Sequence, residues 1–99
     1  MLLDTGASRT TIRLSVLVRI GIDAAIATEH DEVTTVSGLE RPAVVQLESF
    51  SALGVQVPAM KVLAFELPSR ARFDGIIGLD FLRGHRLLLD FREGIIEFD

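Results

Sequence analysis

From residue 25 to 65 the chain reads as one short strand after another, and this patterning limits the fold more than any other feature. Ala25 to Thr28 is a candidate strand. Glu32 to Val36 alternates as Glu-Val-Thr-Thr-Val, Ser37-Gly38-Leu39-Glu40 supplies turn chemistry, and Pro42 to Leu47 returns. That is a hairpin with a glycine at its tip. Ser49 to Leu53, a Gly54 turn, Val55 to Val57 and Met60 to Phe65 continue the meander, with Pro58 confining its segment to an edge or a bulge. Helix is scarce. Leu14, Leu17 and Val18 form an i, i+3, i+4 stripe closed by Gly21, and Asp80 is placed to N-cap a single turn that ends at Gly84. Leu87 to Phe91 and Ile95 to Phe98 form a last strand pair around Arg92-Glu93-Gly94. The expected fold is all-β: residues 1–99 as a single domain, a small closed barrel with one or two short helices.

The composition removes whole classes of function. A net charge of −4, with the basic residues scattered apart from Arg70 and Arg72, argues against a nucleic-acid partner, whose phosphates need a basic face. The absence of cysteine rules out disulfides, thiolate nucleophiles and Cys-based zinc sites together. It also leaves the compartment unread. No segment approaches the roughly 20 apolar residues of a membrane-spanning helix. The best candidate, Leu14 to Ile22, is short and carries Arg19. Met1 stands almost on the first motif, so an anchor or leader upstream would lie outside these residues.

Two fragments carry the chemistry. In "LLDTGAS", Leu2 and Leu3 read as the end of a buried strand that Asp4-Thr5-Gly6 breaks. An Asp at that position is either a turn former or a reactive acid held in a low-dielectric place. In "FDGIIGLDFL", Ile76 and Ile77 form a short buried strand bracketed by Gly75 and Gly78. The other polar residues read more plainly. Ser8 would need a base to act as a nucleophile, and neither His30 nor His85 stands in a triad context. His30-Asp31-Glu32 alternates across a strand, so it makes a solvated acidic turn and not a metal site. No metal or other cofactor is implied.

Together the two fragments resemble the single-domain retropepsin-like aspartic proteases and their bacterial relatives, over about residues 2 to 98. The resemblance implies a retropepsin-like barrel and a peptidase in which Asp4, Thr5 and Gly6 form the catalytic motif. Ala7 and Ser8 would contact substrate backbone; Ile76, Ile77 and Gly78 would wrap behind the Asp loop, with Ile77 also counted among the substrate-binding residues. Val36, Ser37 and Gly38 would form the tip of a flap closing over an extended peptide. Ser8 stands where viral members carry a second acid, and the absence of tyrosine excludes a flap tyrosine. Such domains usually carry one or two strands ahead of the Asp-Thr-Gly strand, where this sequence has only Met1-Leu2-Leu3, so its N-terminal strands read as truncated.

One carboxylate cannot efficiently both activate a water and protonate an amide nitrogen, whereas two sharing a proton can. With one Asp-Thr-Gly per chain, the second must come from a second copy. The expected protein is therefore a homodimeric aspartic endopeptidase, its two Asp4 residues meeting across a two-fold axis. Two alternatives are a catalytically silent dimerisation or peptide-binding module on the same fold and a self-processing domain of a longer precursor.

Overall fold

The computed structural model describes residues 1–99 and is mostly β with two short helices. A five-stranded sheet carries the site. Its spatial order is β1 (Leu2–Leu3), β9 (Gly75–Ile77), β2 (Thr11–Arg13), β8 (Lys61–Phe65) and β5 (Ala43–Gln46). β1 runs parallel to β9 and β2 parallel to β8, while β2–β9 and β5–β8 are antiparallel. Three further hairpins surround it: β3 (Val33–Thr35) with β4 (Gly38–Glu40), β6 (Ser49–Ala52) with β7 (Val55–Pro58), and β10 (Leu87–Asp90) with β11 (Ile95–Phe98). The helices are α1 (Leu14–Arg19) and the single turn α2 (Leu79–Leu82).

Strand alternation divides the sheet into two faces. Ile12, Val62, Ala64 and Ile77 join the hydrophobic core with Leu17, Val45, Leu47, Phe50, Met60, Phe81 and Leu82. The residues between them, Thr11, Leu63, Phe65 and Ile76, turn to the opposite face and line a cleft. Phe81 anchors the C-terminal hairpin: its ring meets Phe50 edge-on at 5.4 Å and stacks on Phe98 at 5.7 Å, and His85 covers Phe98 at 4.7 Å.

Several expectations are corrected. The barrel does not close: the sheet is open, with β1 and β5 as its edges, and the hairpins stand beside it as separate ladders. Ala25 to Thr28 is not a strand. Asp23 accepts a hydrogen bond from the Ala25 amide at 2.9 Å and starts a 3-10 turn over Ala24–Ile26. The flap turn is tighter than the sequence indicated. Thr35 Oγ1 accepts from the Ser37 amide and donates to the Gly38 carbonyl, so Val36-Ser37 alone makes the turn and Gly38–Glu40 is already the returning strand. Pro42 to Leu47 then leads into β5, which pairs with β8 and not with β3. Asp80 does not N-cap α2; Gly78 occupies that position, and the Asp80 carboxylate accepts from the Phe81 amide at 2.9 Å while also binding Thr10 across the fold.

The β6–β7 turn places Leu53 at φ +53° and Gly54 at φ +80°. Two successive positive φ values are the type I′ geometry, which Asn-Gly suits and a leucine does not. Leu53→Asn is therefore expected to stabilise the fold by roughly 1 kcal/mol. Urea unfolding, with an unchanged slope and a higher midpoint, is the measurement.

Candidate active site

β1 delivers Asp4 to the cleft. The Asp4 amide donates to the Ile77 carbonyl at 3.0 Å, extending the β1–β9 ladder by one bond before the chain turns. The turn is closed by the Asp4 carbonyl, which accepts from the Ala7 amide at 3.2 Å, and by Asp4 Oδ1, which accepts from the Gly6 amide at 2.9 Å. Oδ2 has no hydrogen-bond partner within the chain, and the Thr5 hydroxyl is likewise unbonded on an exposed residue. Gly6 does not use the left-handed backbone region; a Cβ there would lie 3.2 Å from Asp4 Oδ1, a tight contact that would press on the carboxylate.

The second motif locks this loop from behind. The Ala7 carbonyl accepts from the Leu79 amide at 2.8 Å and the Ser8 carbonyl from the Asp80 amide at 3.2 Å. The fully buried Thr10 donates its amide to both Asp80 carboxylate oxygens, at 2.9 and 3.0 Å, and its hydroxyl to Oδ1 at 2.7 Å. Thr10 Oγ1 accepts in turn from the Gly78 amide at 3.1 Å. The two segments lie so close that a Cβ on Gly78 would fall 2.6 Å from the Arg9 carbonyl carbon and 2.9 Å from the Ala7 oxygen. The glycine is required by backbone approach.

A cavity of about 390 Å³ opens over Asp4. Gly6, Ala7, Ser8, Arg9, Thr11, Leu63, Phe65 and Ile76 line it from the sheet side, and Glu32, Val33, Thr34 and Thr35 from the hairpin side. The structure thus brings Asp4, Gly6, Ala7 and Ser8 together. Ile77 is buried in the core, and its neighbour Ile76 faces the cleft instead. Val36, Ser37 and Gly38 sit at the exposed hairpin tip, away from the cavity wall that β3 provides. Sequence reading missed Arg9, Glu32, Thr34, Leu63 and Phe65. For Leu63 and Phe65 a signal existed: in Lys61–Phe65 they alternate with the core residues Val62 and Ala64.

One ion pair edges the cavity. Arg9 Nη1 lies 3.0 Å from Asp31 Oδ2, and the Glu32 amide donates to Asp31 Oδ1 at 2.8 Å. The Arg9 hydrogen bond, followed by that from the Glu32 amide, holds the Asp31 carboxyl below the usual carboxylate range. No group of three or more His, Asp or Glu side chains is arranged to hold a metal ion, and no helix is long and apolar enough to cross a membrane.

The site is thus an acid on a tight turn at a strand end, clamped by a glycine-flanked strand and facing a cleft. Residues 1–81 match the family model described as aspartyl protease. The chain belongs to that family. A crystal structure of a retropepsin-like aspartic protease from Rickettsia conorii matches it with a TM-score of 0.69. The match covers 97% of this chain and 71% of that one at 18% identity, and it establishes a retropepsin-like fold. Comparison with curated proteins gave no match.

Two outcomes follow for this aspartyl protease fold. Asp80→Ala strands the buried Thr10 amide and is expected to cost about 1–3 kcal/mol, whereas Asp80→Asn, which keeps an acceptor, loses less; denaturant titration separates them. Asp31 has a depressed folded-state value, so its contribution is complete above the ordinary carboxylate value and is lost as pH falls through the depressed one. The stability gap between wild type and Asp31→Asn is therefore expected at neutral pH and should close in acid, as read by thermal melts across pH.

Proposed function

We propose that this chain is an aspartic endopeptidase that works as a homodimer, with one Asp4 from each copy. The observation that carries this reading is the Asp4 carboxyl itself. It sits at the mouth of a cleft with one oxygen fixed by Gly6 and the other unpartnered. Two such groups about 3 Å apart cannot both ionise, and they share a proton.

In this mechanism the ionised Asp4 takes a proton from a water as its oxygen attacks the scissile carbonyl carbon. The protonated Asp4 of the second copy gives its proton to the carbonyl oxygen, which completes the tetrahedral diol. As the diol collapses, the carbon–nitrogen bond breaks, the first Asp4 passes the proton taken from water to the departing amine, and the second Asp4 takes back a diol hydroxyl proton. Thr5, exposed and unbonded within its chain, would tie the two Asp loops together. Ala7 and Ser8 would meet the backbone of an extended peptide, which lies along the cleft as an added strand. The β3–β4 hairpin would cover it and exclude water.

The surface for the second copy is the C-terminal hairpin. Leu87 and Phe98 pack on the core, while Leu89 and Ile96, one register step further along the same side, are exposed, as are Leu88, Ile95 and Phe91. An apolar side that continues outward from the core fits a self-complementary contact.

Asp4→Asn is expected to abolish peptide cleavage while leaving the fold and the dimer intact, checked by a peptide-library digest and sedimentation. Wild-type activity should follow a bell-shaped acid profile whose two apparent values belong to the pair. A chain that stays monomeric at high concentration and leaves peptides whole from about pH 3 to 8 is instead a silent peptide-binding module.

A further inference from the structure

The β3–β4 hairpin is poorly attached. It forms a ladder of its own, and its stem is held by the Asp31 amide on the Pro42 carbonyl at 3.1 Å, the Val44 amide on the Glu29 carbonyl at 2.8 Å and the His30–Ala43 bridge. Those bonds fix where the hairpin leaves the sheet edge but not its angle over the cleft. Its outer residues Val36, Leu39 and Glu40 are exposed, and it contributes nothing to the buried core. From residue 31 to residue 41, one bond joins the hairpin to the opposite side of the cavity: Arg9 Nη1 to Asp31 Oδ2.

Both ends of that bond are prepared. Arg9 directly precedes Thr10, the buried residue that Asp80 clamps, so the guanidinium is mounted on the most constrained backbone near Asp4. Asp31 has each oxygen engaged separately, Oδ1 by the Glu32 amide and Oδ2 by Arg9, which fixes the carboxylate plane. The charged groups around the pair are Asp4 and Glu32 on the cavity wall, with His30 and the Lys61–Glu29 ion pair at the stem. None of them competes for the Arg9 contact. Resting on the peptidase reading above, the geometry points to Arg9 and Asp31 as positioning residues whose ion pair sets the height of the hairpin over Asp4.

The pair acts through the strand that follows it. Asp31 is two residues before Val33, and Val33 to Thr35 form the hairpin wall of the cavity. Holding Asp31 against Arg9 holds that wall at a fixed spacing from Ala7 and Ser8, where an extended peptide must fit between two strands. The side chains are 26% and 37% exposed, so the charge-assisted bond is partly screened: strong enough to bias a lid and weak enough to let it open.

The test uses the full chain and three variants: Arg9→Gln, Asp31→Asn, and the charge swap Arg9→Asp with Asp31→Arg. Backbone order parameters of Val33 to Glu40 should fall from about 0.85 to below about 0.6 in each single variant, while those of β8 stay unchanged. With a cleavable peptide, KM should rise roughly three- to tenfold with kcat nearly unchanged. The swap should recover most of both readouts, which a merely structural role for either residue would not do. Unchanged hairpin order in the single variants, or a swap no better than they are, overturns the proposal. The order parameters report on the tether even if the wild-type chain cleaves nothing, so a failed tether and a failed peptidase reading give different results. Thermal melts confirm that each variant is folded, and Arg9→Lys, which keeps the charge with one donor point, should fall between wild type and Arg9→Gln.

Discussion

The site depends on one buried threonine. Thr10 has no exposed surface, yet its amide and hydroxyl both need partners, and Asp80, 70 residues away in sequence, takes both. An unmet donor in that position would cost a sizeable share of a small domain's net stability. The bond therefore fixes more than a local turn. It brings the end of β9 and the start of α2 against the backbone of Ala7, Ser8 and Arg9, and through them it sets the attitude of the Asp4 loop. Gly78 permits the approach and Asp80 rewards it, so the two motifs form one object.

Much of this was legible in the sequence because the signals were local. The helix from Leu14, the Ile76-Ile77 strand, the hairpins around Gly54 and Arg92–Gly94, and the acid at a strand mouth each follow from period, β-branching or turn chemistry within a few residues. What was misread required long-range geometry. A closed barrel is a statement about sheet edges, and edges are set by which distant strands pair; β5 chose β8. Asp80 has the right residue type for an N-cap, but it stands one residue inside the helix start, and its carboxylate serves the local Phe81 amide together with the distant, buried Thr10. Ala25–Thr28 lost its strand to a single Asp23 side chain.

The same distinction applies to the cleft. Asp4, Gly6, Ala7 and Ser8 were visible within one short motif, whereas Arg9 and Glu32 come to line one cavity only because the hairpin lies over the sheet. Ile77 was read both as support behind the Asp loop and as a substrate contact; it lies in the core behind the loop, and Ile76 faces the cleft, a difference of one residue, which in a strand is a difference of one face.

That alternation has a consequence for how such a molecule can change. On β8 and β9, the residues that sustain the fold and those that meet the cleft are interleaved along the same backbone: Val62, Ala64 and Ile77 against Leu63, Phe65 and Ile76. Cleft lining and folding are thus written on alternate letters of one short text. Point changes at the half-buried Phe65 and Ile76 can revise the first with little effect on the second, whereas Leu63, 3% exposed, serves both. An insertion or deletion of a single residue, by contrast, would exchange the two scripts at once.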